Sequence, residues 1–250
     1  MATKGAAMPV YRKRPGAYYY GHAVGVLLLD FVECRVPGDM GNASSFDYPA
    51  LFRAVPGASA ERVTNCDPTL EPAVVAMARE LAGHGVKTIT SNCGFMIKYQ
   101  KAVADAVDIP VGLSSLLQLP FVAAGLGGRP IGVITAHSER LRPDILALTG
   151  IAEDAPIIVV GMQDKPEFRG GVLNGRGSLD SDKLCAELIE TAEDMVAETP
   201  DMGAFILECA IYPAYARRIQ QAVGRPVFDF MSLAGFLHAG THQRAYSGGY

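Results

Sequence analysis

The sequence predicts an α/β fold built on parallel sheets. Short apolar runs of strand length alternate with longer stretches of helical spacing along the 250-residue chain. The runs are apolar on both faces, as strands covered by helices on either side must be. Two of them end alike: TITSNCGF and FILECAIYP each pass from an apolar run to a polar residue, a cysteine and a helix-like segment.

Strands are expected over Val24 to Asp30, Leu51 to Val55, Val86 to Thr90 and Pro110 to Leu113, then over Ile131 to Thr135, Pro156 to Val160, Ala204 to Leu207 and Pro226 to Phe230. Helices are expected over Leu70 to Gly83, which stops at a glycine, and over Phe95 to Ala106, Ser115 to Ala124 and Ser138 to Leu148. Three more are expected nearer the C-terminus: Asp180 to Glu198 with Ser178 or Asp180 near its cap, Pro213 to Ala222 with an early proline, and Ser232 to Gly240. GLGG at 125–128 reads as a turn, and GGVLNGRGS as a loop.

A net charge of −4 without a basic block argues against nucleic acid as a partner. No apolar run approaches the roughly 20 residues of a membrane span, so no membrane partner is expected. Residues 1–20 carry basic residues but no apolar core of a secretory leader, and are expected to form an arm. Tyr18, Tyr19 and Tyr20 at its end suit packing on the body or on a neighbouring subunit of a homodimer or homotetramer. The five cysteines show neither C-x-x-C nor ligand-spaced histidines, so no metal site is expected, and they read as reduced thiols of a cytoplasmic protein.

In parallel α/β sheets ligands sit beyond the carboxyl ends of the strands. Cys93 and Cys209 stand there, 116 residues apart, in two like units that can face each other across a cleft. A free thiol titrates near about 8.5, and a helix N-terminus lowers that value, which makes a thiolate base. Two thiols on opposite faces of one carbon can remove a proton and return one without any cofactor. Cys34, Cys66 and Cys185 lack this context and read as packing or surface residues.

Other strand-end residues are candidates for binding. Asp39 and Asn42 lie in the polar loop VPGDMGNASSFDYP. Asn92, Gly94 and Phe95 flank Cys93. Ser114, Ser115, Thr135 and Ala136 offer hydroxyls and backbone N–H groups to a carboxylate, with helix capping as the serines' other role. His137 is a possible proton partner. Glu208 should point away from Cys209 if strand alternation persists; turned into the cleft, it would raise the thiol pKa or hold a sulfonium or ammonium group. Asp39 and Asp229 have the same possible use.

On Asn92-Cys93-Gly94 and Glu208-Cys209-Ala210 the chain resembles the aspartate/glutamate/hydantoin racemase superfamily. The resemblance runs from Gly21 to about Gly240. It implies two pseudo-symmetric α/β lobes, each a parallel sheet flanked by helices, with the active site in the cleft between them and one catalytic cysteine from each. It further implies lobe one over 21–112 plus 224–250 and lobe two over 113–223. Typical amino-acid racemases carry C-N-T and G-C-T at the two sites, and both threonines are absent here. PGDMGN, NCGFMIKYQ, SSLLQLP, ITAHSERLRP, VVGMQDKPEF and LECAIYPAYARRI resemble the algal-type dimethylsulfoniopropionate lyase branch.

The expected function is therefore a cofactor-independent acid/base enzyme acting at the carbon next to a carboxylate or carbonyl. Racemisation or epimerisation of a small carboxylate-bearing substrate is the leading reaction. β-Elimination from a sulfonium acid is the alternative, and a non-catalytic binding or redox-sensing protein is the alternative of another class.

Overall fold

In the computed structural model, which describes residues 10–246, the chain forms two four-stranded, all-parallel sheets. The first contains β1 (Val24–Leu28), β2 (Ala50–Ala54), β3 (Thr88–Ser91) and β4 (Val111–Gly112). The second contains β5 (Ile131–Thr135), β6 (Ile157–Gly161), β7 (Ala204–Leu207) and β8 (Val227–Phe228). The orders are β2-β1-β3-β4 and β6-β5-β7-β8, one topology used twice. Residues 1–9 of the expected arm, and 247–250, lie outside the described residues.

The helices are α1 (Ala60–Thr64), α2 (Glu71–His84), α3 (Gln100–Ala106), α4 (Leu119–Leu126), α5 (Pro143–Ala147), α6 (Ser181–Glu198), α7 (Ala216–Val223) and α8 (Phe230–Thr241). Helix α2 stops at Gly85, whose φ of 85° is left-handed and cheap only for glycine. Helix α6 starts at Asp180, whose carboxylate accepts from Lys183 N–H at 3.1 Å, and buries Leu184, Cys185, Leu188, Ala192 and Met195 along one stripe.

Four expected helices begin differently. Phe95 to Ala106 and Ser115 to Ala124 each open with a tight 3₁₀ segment, Gly94–Tyr99 and Ser115–Gln118. Ser138 to Leu148 is broken before Pro143, which holds Arg142 in an extended conformation. Pro213 lies in a 3₁₀ turn, and the α-helix starts only at Ala216. Helix α1 and a wide π-type turn over Phe168–Leu173, which runs into the expected 170–178 loop, have no counterpart among the expected elements.

The chain's return to the first lobe also differs from the expected 224–250. Strand β8 pairs with β7, so it extends the second sheet. Only α8 comes back, packing on β3 and β4, where the bare Cα of Gly112 admits Leu237 and Leu233. Ile131, Val133, Ala204 and Ile206 of the second sheet share one apolar cluster with Leu27, Ile89, Leu116 and Val122. The lobes are thus joined by a continuous core. Residues 10–22 run without regular structure; Arg14 donates to His84 O at 2.8 Å and the Tyr19 ring lies 5.2 Å from that of His84, so the arm's end packs on the body.

Candidate active site

The two cysteine units are built by the same backbone bonds. Asn92 N–H donates to Leu27 O at 3.0 Å, and Glu208 N–H donates to Ile134 O at 2.9 Å, each prolonging a central strand pair by one residue. The side chains then repeat the pattern. Asn92 Oδ1 accepts from Leu29 N–H at 2.8 Å, and Glu208 Oε2 accepts from Ala136 N–H at 3.2 Å. Leu29 and Ala136 stand two residues past those accepting carbonyls, so Asn92 and Glu208 are counterparts. Each ties off its own sheet and delivers the next residue, Cys93 or Cys209, to the strand end.

Glu208 does more than its counterpart. Its Oε2 also accepts from the Thr135 hydroxyl at 2.8 Å, and its carboxylate takes the backbone N–H groups of Gly94 and Phe95 from the opposite lobe. A Cβ on Gly94 would overlap Glu208 Oε1. Glycine at 94 therefore makes room for a carboxylate reaching across the cleft. Burial pushes the Glu208 carboxyl up, and these four donors pull it back.

The expectation that Glu208 points away from Cys209 is thus corrected: the strand ends at Leu207, alternation ends with it, and both residues line one cavity. The expectation of acidic thiols is corrected as well. Burial pushes Cys93 and Cys209 well above the ordinary thiol range, and the Glu208 charge adds to it. Only the N–H of Phe95 for Cys93, and of Ile211 for Cys209, act the other way. Each cysteine leads into a short 3₁₀ turn rather than a long helix whose dipole would offset burial.

The cavity measures about 710 Å³ and is walled by strand ends of both sheets. Cys93, Cys209, Asn92, Phe95, Asp39, Ala136, His137 and Glu208 line it. Burial and the nearby Arg140 hold His137 below the usual histidine range. Thr135 and Gly94 act one step back, through Glu208.

Three candidates are placed elsewhere. Ser114 caps the turn after β4, accepting from Leu116 N–H at 3.2 Å. Ser115 is fully buried and donates to Leu207 O at 2.8 Å, fastening that turn to β7. Asn42 caps the turn at 43–45 and donates to Arg35 O at 2.9 Å. None of the three lines the cavity, because local bonding consumes their polar atoms. Asp229 is likewise spent, on a capping box with Ser232.

Other wall residues were not among the candidates. Phe31 and Glu33 lie just past β1, Gln163, Phe168 and Arg169 lie past β6, and Thr64 and Arg140 meet across the cleft in a hydrogen bond. The strand-end rule applied to β1 and β6 would have found the first two groups. Among the described residues, no cluster of three or more His, Cys, Asp or Glu side chains is arranged to hold a metal ion.

No model of a protein family matches the chain. Curated relatives do. Dimethylsulfoniopropionate lyase of Durusdinium sp. clade D is 33% identical over 229 residues, an alignment covering 87% of this chain and 74% of the relative. The chain belongs to the dimethylsulfoniopropionate lyase family. Dimethylsulfoniopropionate lyase 7 of Emiliania huxleyi strain CCMP1516 is a second such relative, 31% identical over 229 residues, covering 87% of this chain and 67% of its own. As a member of the lyase family the chain is an enzyme.

Solved structures of the racemase type share the fold of this lyase-family chain. Arylmalonate decarboxylase superposes with a TM-score of 0.58 at 14% identity, over 88% of this chain and 92% of its own. Allantoin racemase from Pseudomonas fluorescens gives 0.57 at 17%, over 90% and 100%. Glutamate racemase from Bacillus anthracis gives 0.54 at 15%, over 88% and 82%. The two-lobed racemase-like fold is therefore that of this chain.

Proposed function

We propose that the chain is a carbon–sulfur lyase that eliminates dimethyl sulfide from a sulfonium acid such as dimethylsulfoniopropionate, with Cys93 and Cys209 as its acid/base pair. The observation that carries this reading is the placement of both thiols on equivalent strand ends, in one cavity and beside one carboxylate, Glu208. A buried thiol next to a carboxylate stays protonated. A substrate that brings its own positive charge offsets both burial and Glu208, and so favours the thiolate when it binds.

In the reaction the thiolate of one cysteine takes the proton from the carbon next to the carboxylate. That C–H electron pair becomes the new carbon–carbon double bond. The bond from the β-carbon to sulfur breaks, and its electron pair leaves with dimethyl sulfide. Acrylate remains, and the thiol later returns its proton to water.

Racemisation or epimerisation of a small carboxylate-bearing compound is a second reading, favoured by the equivalence of the two cysteine units. One thiolate would remove the α-proton while the other thiol supplies one to the opposite face. A reducing cytoplasm would keep both sulfurs as thiols. A homodimer or homotetramer is supported by Phe121 and Phe236, large apolar side chains exposed on α4 and α8.

Incubation in heavy water with sulfonium acids, amino acids and hydantoins tests these readings. Dimethyl sulfide in the headspace, with an alkene acid in solution, is expected of the lyase. Deuterium uptake with inversion and no cleavage would replace it by the racemase. Neither product nor exchange with any of them would sink both.

A further inference from the structure

The stretch after β1 folds on itself and on the opposite lobe. Arg35 Nη1 lies 2.7 Å from Glu33 Oε1 and 3.1 Å from Asp39 Oδ1. Gly41 N–H donates to Asp39 Oδ1 at 2.6 Å, and a side chain on Gly41 would overlap the Arg35 guanidinium. Met40 N–H donates at 3.1 Å to the carbonyl of Ala210, the residue after Cys209. Glu33 and Asp39 line the cavity, whereas Arg35, which they share, does not. Two carboxyl groups thus share one guanidinium at the cavity wall.

The acidic groups of that wall are not equally free. Glu208 accepts from Thr135 and Ala136 and faces the N–H groups of Gly94 and Phe95, Asp39 is buried between Arg35 and Gly41, and Glu61 and Asp164, which also line the cavity, are exposed to solvent. Glu33 is bound through Oε1 alone, and among the described residues its Oε2 accepts no hydrogen bond. It lines the same cavity as Cys93 and Cys209. Phe31, Phe95 and Phe168 line the same cavity. A carboxylate with an open oxygen in a cavity that also holds the half-buried Phe31 suits a poorly hydrated cation ringed by methyl groups, which has no N–H to donate.

We propose that Glu33 is the specificity-determining residue for the cationic end of the substrate: its carboxylate, oriented by the Arg35 that Asp39 shares, meets the sulfonium or quaternary ammonium centre, and the half-buried Phe31 packs against its methyl groups. This rests on the sulfonium-acid reading, so the probe is one that binds without reacting. Calorimetric titrations of the wild type and Glu33→Gln would use 3-(trimethylammonio)propanoate and its uncharged isostere, 4,4-dimethylpentanoate. The wild type should bind the cation at least about tenfold tighter than the isostere, and Glu33→Gln should erase about that tenfold while moving isostere affinity less than about twofold.

Equal wild-type affinities overturn the assignment, and that comparison needs no variant to fold. An unchanged ratio in a folded Glu33→Gln also overturns it. Selective cation binding without dimethyl sulfide release would sink the lyase reading alone. Dimethyl sulfide release with equal affinities would sink this assignment alone.

Discussion

Glu208 and Gly94, from opposite lobes, fill one space: the carboxylate of the first lies where a side chain of the second would be. Each cysteine has a neighbour in this pair, so the contact sets the position of both thiols at once. A methyl group at 94 cannot be accommodated unless Glu208 moves. Gly94→Ala should lower turnover about a hundredfold and destabilise the fold by about 1–3 kcal/mol, read from product release and urea unfolding. In a Glu208→Gly background the same substitution should cost at least about 1 kcal/mol less, a coupling that a double-mutant cycle measures.

Removing the charge of Glu208 should ease ionisation of both thiols. In Glu208→Gln the carboxylate that opposes thiolate formation is gone, while one acceptor oxygen remains. The pH at which Cys93 and Cys209 reach half their maximal alkylation rate should fall relative to the wild type. Mass spectrometry of iodoacetamide adducts across a pH series reads the two sites separately, and an upward move would contradict the account.

Elimination needs one base, so the two cysteines should not be equally essential. One of Cys93→Ser and Cys209→Ser should lose about a hundredfold or more in kcat, and the other less than about tenfold. Equal, near-complete losses in dimethyl sulfide release would favour the two-base chemistry instead.

Glu33 makes stability depend on pH in an unusual direction. Burial, aided by Asp39 and opposed by Arg35, pushes its carboxyl up to about 7 from 4.5. The folded state then binds more protons than the unfolded chain between those values, so stability falls as pH rises from 4.5 to 7 and the whole cost is present above 7. Glu33→Gln removes that contribution. Relative to the wild type it should be unchanged near pH 4 and more stable at pH 8, by up to about 3 kcal/mol, in urea titrations at the two pH values.

The layered fold was readable because buried parallel strands must be apolar on both faces; IGVIT and AFIL match β5 and β7 residue for residue. The cysteine units were readable because strand ends are where such sheets place chemistry. Ser114 and Ser115 misled for a related reason. They also lie just past a strand, but one caps a turn and the other spends its hydroxyl on Leu207 O, 92 residues away. Glu208 was ambiguous because strand alternation holds only as far as the strand does. Glu33, Phe168 and Arg140 were not singled out as site residues although each follows a strand; which of the many residues past a strand end reach the cavity is set by topology, and only the paired sheets bring these together.

The apolar core shared by β1, β3, β5 and β7 limits how the enzyme can open. Parting the halves like a clamshell would wet Ile89, Leu116, Val133 and Ile206, all of which are fully buried. At the cavity's rim, by contrast, α1 meets the segment after β5 through a polar contact, Arg140 to Thr64. The same shared core that joins the sheets thus makes separating the halves a costly way to reach the cavity.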